Sequence, residues 1–214
     1  MDIEASQLLL LLNWMSPAFP IGNFAYSHGL EWAIAKGHIT TQGDVESWIG
    51  NLITSGSGWN DAVLFALVWK EDSHELNELA LALAASAERY LESTQLGRSF
   101  AIAAASFIQI DRFTDEIAYP IAAALACRDV GMNPETALLA YLQSFASALV
   151  SVAVRLVPLG QTAGLTTLKN LMPIIATTAT RASSATRDDL GSTTLLADVA
   201  SMKHETLQPR IFRT

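Results

Sequence analysis

Apolar residues in this chain recur every three or four positions and hardly ever every two. Val45, Trp48, Ile49, Leu52 and Ile53 fall at i, i+3, i+4, i+7 and i+8, which places them on one face of a helix. Thr41 followed by Asp44 gives that helix a capping pattern. Leu64, Phe65 and Val68 continue the theme after Asn60-Asp61, and Ser73 reads as the cap of a helix through Leu76, Leu79, Leu83 and Ala84. The stretch 88–110 is rich in alanine and leucine. Asn133-Pro134-Glu135 sets a cap, a proline at the first helical position and an acid at the positive end. Leu138, Tyr141, Leu142, Phe145, Leu149 and Val152 then run down a long helix that Pro158 and Gly160 break. Residues 161–179 read as a further helix with Pro173 as a kink or joint. The Ser/Thr/Asp/Gly-rich stretch 181–194 reads as a loop, mobile over 183–194, before a last short helix at 195–205.

Alternating strand patterns are hard to find. The helical spacing predicts an all-α fold, and the small residues of 101–105 and 121–125 allow helix backbones to approach closely. With no repeat and no shift of composition, residues 1–214 read as a single-domain multi-helix bundle.

Charge limits what such a bundle does. Only 16% of residues are charged while 50% are hydrophobic, against about 25% charged in an ordinary soluble domain. Apolar surface is left over, and that marks contact with partners, so an obligate or frequent oligomer is expected. The net charge of −8 disfavours nucleic acid and anionic membrane surfaces, which call for clustered cations. The leucine run 8–12 is short and follows Asp2 and Glu4, and the apolar run 145–159 is interrupted by Arg155. No membrane span is expected, and the location is read as cytoplasmic. Cys127 is the single cysteine and reads as a buried, inert thiol.

Catalytic signatures are missing. His28, His38, His74 and His204 are widely spread, and His204-Glu205 lacks the second histidine of H-E-x-x-H. There is no Gly-Lys pair for a P-loop and no G-x-S-x-G elbow. Ser27, His28 and Glu31 are close in sequence, where triads seldom form. The reading is therefore no catalytic residue, no metal site and no cofactor bound directly.

Two segments remain. Residues 16–31 carry Pro17 and Pro20, which stiffen the backbone, and Gly22, expected at an angle closed to other residues. Ser27 reads as the cap of a helix beginning at His28. This loop either wedges into the core through Phe19 and Phe24 or presents Tyr26, His28 and Glu31 to a partner. The other segment is the tail 206–214, where Phe212 stands between Arg210 and Arg213. Aromatics and arginines anchor interfaces. The tail either orders against another protein or folds back on its own domain. A rival reading is an all-α enzyme or small-ligand binder with a pocket near Tyr26, His28 and Glu31.

The pattern S-x-x-F-P-x-G-x-F-x-x-S-x-G-L-E at residues 16–31 resembles the opening signature of the urease accessory protein UreF family. Leu96-Gly97-Arg98 resembles its central Gly-Arg step, and residues 154–161, ending in Gln161, its R-L-x-P-L-G-Q element. Ser201-Met202, His204-Glu205, Arg210, Phe212 and Arg213 resemble its terminal motif. The family often has a histidine just before its central proline, whereas Glu116-Ile-Ala-Tyr-Pro120 has none. The resemblance implies an all-α, non-catalytic homodimer that binds the accessory protein UreD (UreH in some species), recruits the GTPase UreG and supports nickel delivery to apo-urease. Nickel and GTP are then handled by the partners. On this reading Tyr26, His28, Glu31, Arg98, Gln161, His204, Glu205, Arg210, Phe212 and Arg213 serve partner binding, and the tail docks UreD/UreH.

Overall fold

A computed structural model describes residues 3–108 and 116–213. Among these residues the secondary structure is helical, with no strand. The helices are α1 (Ala5–Trp14), α2 (Leu30–Ala35), α3 (Gln42–Ser55), α4 (Ser57–Leu67), α5 (Ser73–Ala82), α6 (Ala87–Ala104), α7 (Tyr119–Asp129), α8 (Pro134–Leu156), α9 (Gly160–Ser184) and α10 (Leu195–His204).

Local chemistry sets most boundaries. Thr41 and Asp44 form a reciprocal capping box at α3, and the Asn133 side chain accepts from the Glu135 and Thr136 N–H groups at α8. At α5 the cap is Asp72, which accepts from His74 and Glu75, and Ser73 is already helical. A carboxylate takes two orphan N–H groups where a hydroxyl takes one, so Asp72 outcompetes its neighbour. Helix α6 stops at Ala104, short of the expected 110, and residues 109 and 110 lie outside the described part. Pro173 sits inside an unbroken α9.

Helix α7 is the centre. Every residue from Tyr119 to Cys127 is buried, and α4, α5, α6 and α8 pack around it. The alanines let this happen: a helix of small side chains accepts neighbours on all sides. Close approach is tightest at Gly97 of α6, where a Cβ would fall 1.9 Å from the Ile117 carbonyl oxygen. Burial pushes the Cys127 thiol well above its ordinary range, leaving it inert.

Helix α8 is long and apolar enough to cross a membrane by length and composition, although no span is expected from the sequence. Its apolar face is taken up by α3, α4, α7 and α9, and Arg155 is exposed near its end, donating to Ser151.

The stretch 181–194, expected as a loop, is helical to Ser184 at the end of α9, and its remainder 185–194 is tied to the body. Trp59 Nε1 donates to the Asp189 carbonyl at 2.7 Å, and the Arg181 guanidinium lies 3.7 Å over the Trp59 ring. Arg187 bridges Glu71 at 2.5 Å and Glu75 at 2.9 Å, and Gly191 N–H donates to Asn60.

Candidate functional site

The loop 16–31 ends in a tight left-handed turn. Gly22 has φ 81°, as expected of it, and the succession His28 (φ 50°) and Gly29 (φ 75°) turns the chain into α2. A histidine in this region is strained, and the turn drives its ring inward. Glycine is required at 29 for a second reason: a Cβ there would meet Ala200 Cβ at 2.9 Å, so α10 lies flush on the loop. Helix α2 starts at Leu30 instead of His28, while Ser27 Oγ still accepts from the Glu31 N–H at 3.3 Å.

Tyr26, His28 and Glu31 are all buried. Of the two readings of the loop, the one that offers them outward to a partner is corrected here. The reason is that each has a partner inside the domain, and a charge leaves water only when it is paired.

Glu31 is the hub of the first cluster. Its carboxylate accepts from the Ile211 N–H at 2.7 Å and the Phe212 N–H at 2.9 Å. His204 Nε2 lies 2.9 Å from the same carboxylate, and His204 Nδ1 lies 2.7 Å from Glu88. His204 is fully buried between these two acids. Glu88 also accepts from Arg210. The tail is thus folded back on its own domain. Phe212 is buried beneath the Arg155 guanidinium, 5.2 Å from the ring centre. Arg213 N–H donates to the Ala25 carbonyl and its guanidinium to Gln95, which also accepts from the Tyr26 hydroxyl at 2.9 Å. Glu205 accepts from the Ala87 N–H at the start of α6.

A second cluster lies beside the first. His28 Nε2 is 2.8 Å from Glu92, and Arg89 is 2.5 Å from the same carboxylate. Arg89 is also 3.9 Å from Asp61, which accepts from the Tyr141 hydroxyl at 3.1 Å. Burial pushes the Glu92 carboxyl up, but the charges and hydrogen bonds of Arg89 and His28 outweigh it and hold it at about 2. Asp61 goes the other way: burial raises it by more than Arg89 and His28 lower it.

Glu88, Arg89, Glu92 and Asp61 were not picked out from the sequence. Their signal was three charges within five positions directly after the Ser86 cap, in a chain poor in charge. Of the residues singled out for partner binding, the structure joins Tyr26, Glu31, His204, Arg210, Phe212 and Arg213 around the tail, with His28 next to them. Arg98 is exposed on α6, and Gln161 is exposed at the start of α9 beside Arg155. Neither reaches the tail clusters in the contacts described. Among the described residues no group of three or more His, Cys, Asp and Glu is arranged to hold a metal ion.

Fold and site together define a class: a helical bundle whose buried ionisable groups clip its own C-terminal tail across the loop 16–31. The UreF family model matches residues 39–172. The chain is 44% identical over 220 residues to the urease accessory protein UreF of Rhizobium leguminosarum bv. viciae, covering 100% of this chain and 99% of that one. The UreF of Rhizobium etli gives the same figures, and UreF 1 of Brucella canis is 42% identical over 214 residues, covering 97% and 94%. The chain belongs to the UreF family of urease accessory proteins. The signature loop and the tail lie outside the family-model match but inside the full-length alignment with the Rhizobium relatives.

Proposed function

We propose that this chain is a non-enzymatic scaffold of urease maturation. It pairs with UreD/UreH, recruits the GTPase UreG, and supports nickel insertion into apo-urease in the cytoplasm. Nickel is the cargo of the assembly, and GTP belongs to the GTPase. The observation that carries this reading is the clipped tail. It is a docked edge on which Arg210, Ile211 and Arg213 are exposed, beside exposed Leu195, Leu196 and Met202 of α10. Apolar groups flanked by arginines are what a protein partner recognises. Buried Glu31, His204 and Phe212 hold that edge in place; they position it and do not touch the partner themselves.

A homodimer is supported by the opposite side of the sequence. Leu8, Leu9 and Leu12 of α1 are exposed, and α1 and α8 enclose an apolar groove of about 570 Å³ lined by Leu8, Leu12, Leu139 and Ala140. The patch holds both protruding leucines and a groove to receive them, the self-complementarity that a two-fold interface needs.

The rival, an enzyme or small-ligand binder near Tyr26, His28 and Glu31, has less support. The cavities that reach His28 measure about 70 and 30 Å³, against roughly 300–1,000 Å³ for small-molecule sites.

Because deleting the tail would strand the Glu31 carboxylate, the test uses surface changes. Ile211→Glu and Arg213→Glu are co-expressed with the urease maturation proteins. The expected result is a folded chain that no longer co-purifies with UreD/UreH and leaves urease inactive. Retained co-purification by both variants would remove the tail from the interface.

A further inference from the structure

We infer that the cavity between the loop 16–31 and α4, α6, α7 and α8 is a built water site, in which bound water joins the Tyr119 hydroxyl to the Asp61 carboxylate. The cavity measures about 30 Å³, and a water needs roughly 10–15 Å³ of such space, so it admits about two. Its wall includes His28, Asp61, Glu92, Tyr119, Tyr141 and Ser144. These polar groups share the wall with the apolar Leu96, Phe145, Ala148 and Leu149, and water enters such a cavity only where polar atoms can hold it.

The second observation is Tyr119 itself. Its hydroxyl is buried and has no protein hydrogen-bond partner among the described residues, while its ring packs on Phe100 and Tyr141. A buried phenol left without a partner is worse than a phenylalanine in the same place. Across the cavity, Asp61 takes one bond from Tyr141, and a carboxylate has room for several more. Water supplies both what Tyr119 lacks and what Asp61 still accepts. A cation would fit the carboxylate equally well in size, but the Arg89 guanidinium already stands 3.9 Å from Asp61 and would repel it. The occupant is neutral and both donates and accepts.

The test uses the full chain. Magnetic relaxation dispersion of the solvent nuclei counts internal waters that outlast the tumbling of the protein and still exchange with bulk, and urea unfolding reads stability. The wild type is expected to show long-lived internal water. Tyr119→Phe is expected to weaken that signal and raise the unfolding constant roughly threefold to tenfold, the value of one hydrogen bond. Ser144→Val fills the same cavity from α8 and is expected to abolish the signal whether or not Tyr119→Phe folds. An unchanged signal in Ser144→Val, or a Tyr119→Phe protein as stable as wild type, would overturn the assignment. Stabilisation by ammonium chloride but not by sodium chloride would overturn neutral water in favour of a cation.

Discussion

Replacing Glu31 with glutamine strikes the point where the tail meets the body. The carboxylate accepts from two backbone N–H groups, of Ile211 at 2.7 Å and Phe212 at 2.9 Å, and faces His204 at 2.9 Å. Hydrogen bonds to a charged group contribute about 1.5–3 kcal/mol each, against about 1 kcal/mol for a neutral pair. Glutamine keeps one neutral acceptor and turns its amide nitrogen, a donor, toward donors. With Glu31 nearly free of solvent, the net loss for tail docking is roughly 2–4 kcal/mol, or about thirtyfold to several-hundredfold in the open population. Native-state hydrogen exchange reads this directly, because local opening sets the rate. The amides of Ile211, Phe212 and Arg213 should exchange faster by that factor in Glu31→Gln, while those of α7 and α8 keep their protection. If the Ile211 and Phe212 amides exchange as in the wild type, the carboxylate is not what holds the tail, and the argument for a positioned edge fails.

Gly97→Ala should be among the most damaging single-methyl changes, because its Cβ would lie 1.9 Å from a backbone carbonyl that no side-chain rotation can move. A loss of about 3 kcal/mol or more is expected, and a urea midpoint equal to wild type would contradict the α6–α7 contact. Acid should weaken the protein through Glu92. Its carboxyl is held at about 2 when folded, against an ordinary value near 4.5, so its contribution is complete above pH 4.5 and is lost as pH falls from there to 2. That contribution is on the order of 3 kcal/mol. Asp61 has the opposite sign, since its raised value costs stability at neutral pH and returns it in acid. Glu92→Gln should therefore flatten the acid limb of a stability-versus-pH curve, whereas an unaltered limb would refute the role given to Glu92. Trp59→Phe keeps the ring under Arg181 but deletes the N–H bonded to Asp189; protease cleavage within 185–194 should become several-fold faster, as expected for the loss of about 1 kcal/mol, and equal rates would show that this bond does not anchor the stretch.

The helices were legible because their causes are local. Caps at Thr41 and Asn133, the break at Pro158 and Gly160, and the three-and-four spacing of apolar residues all act within a turn or two of the chain. Where local reading missed, another nearby group won, as Asp72 did over Ser73. The motif residues of the loop and the tail could also be picked out, since proline, glycine, aromatic and arginine stand out in a chain with few charges. Their directions could not. Glu31 and His204 are 173 positions apart, and Glu31 and Phe212 are 181 apart. No periodicity reports whether such groups meet, and on a helix a buried glutamate looks the same in sequence as an exposed one. Glu88, Arg89 and Glu92 went unnoticed for this reason, and for Tyr26, His28 and Glu31 the choice between core and partner stayed open. Sequence alone determined the helical class, the helices with clear caps and spacing, and that apolar surface would be left over. Only the tertiary structure decided which charges leave water, because that choice depends on finding a partner across a long closed loop, and desolvation forbids it anywhere a partner is missing.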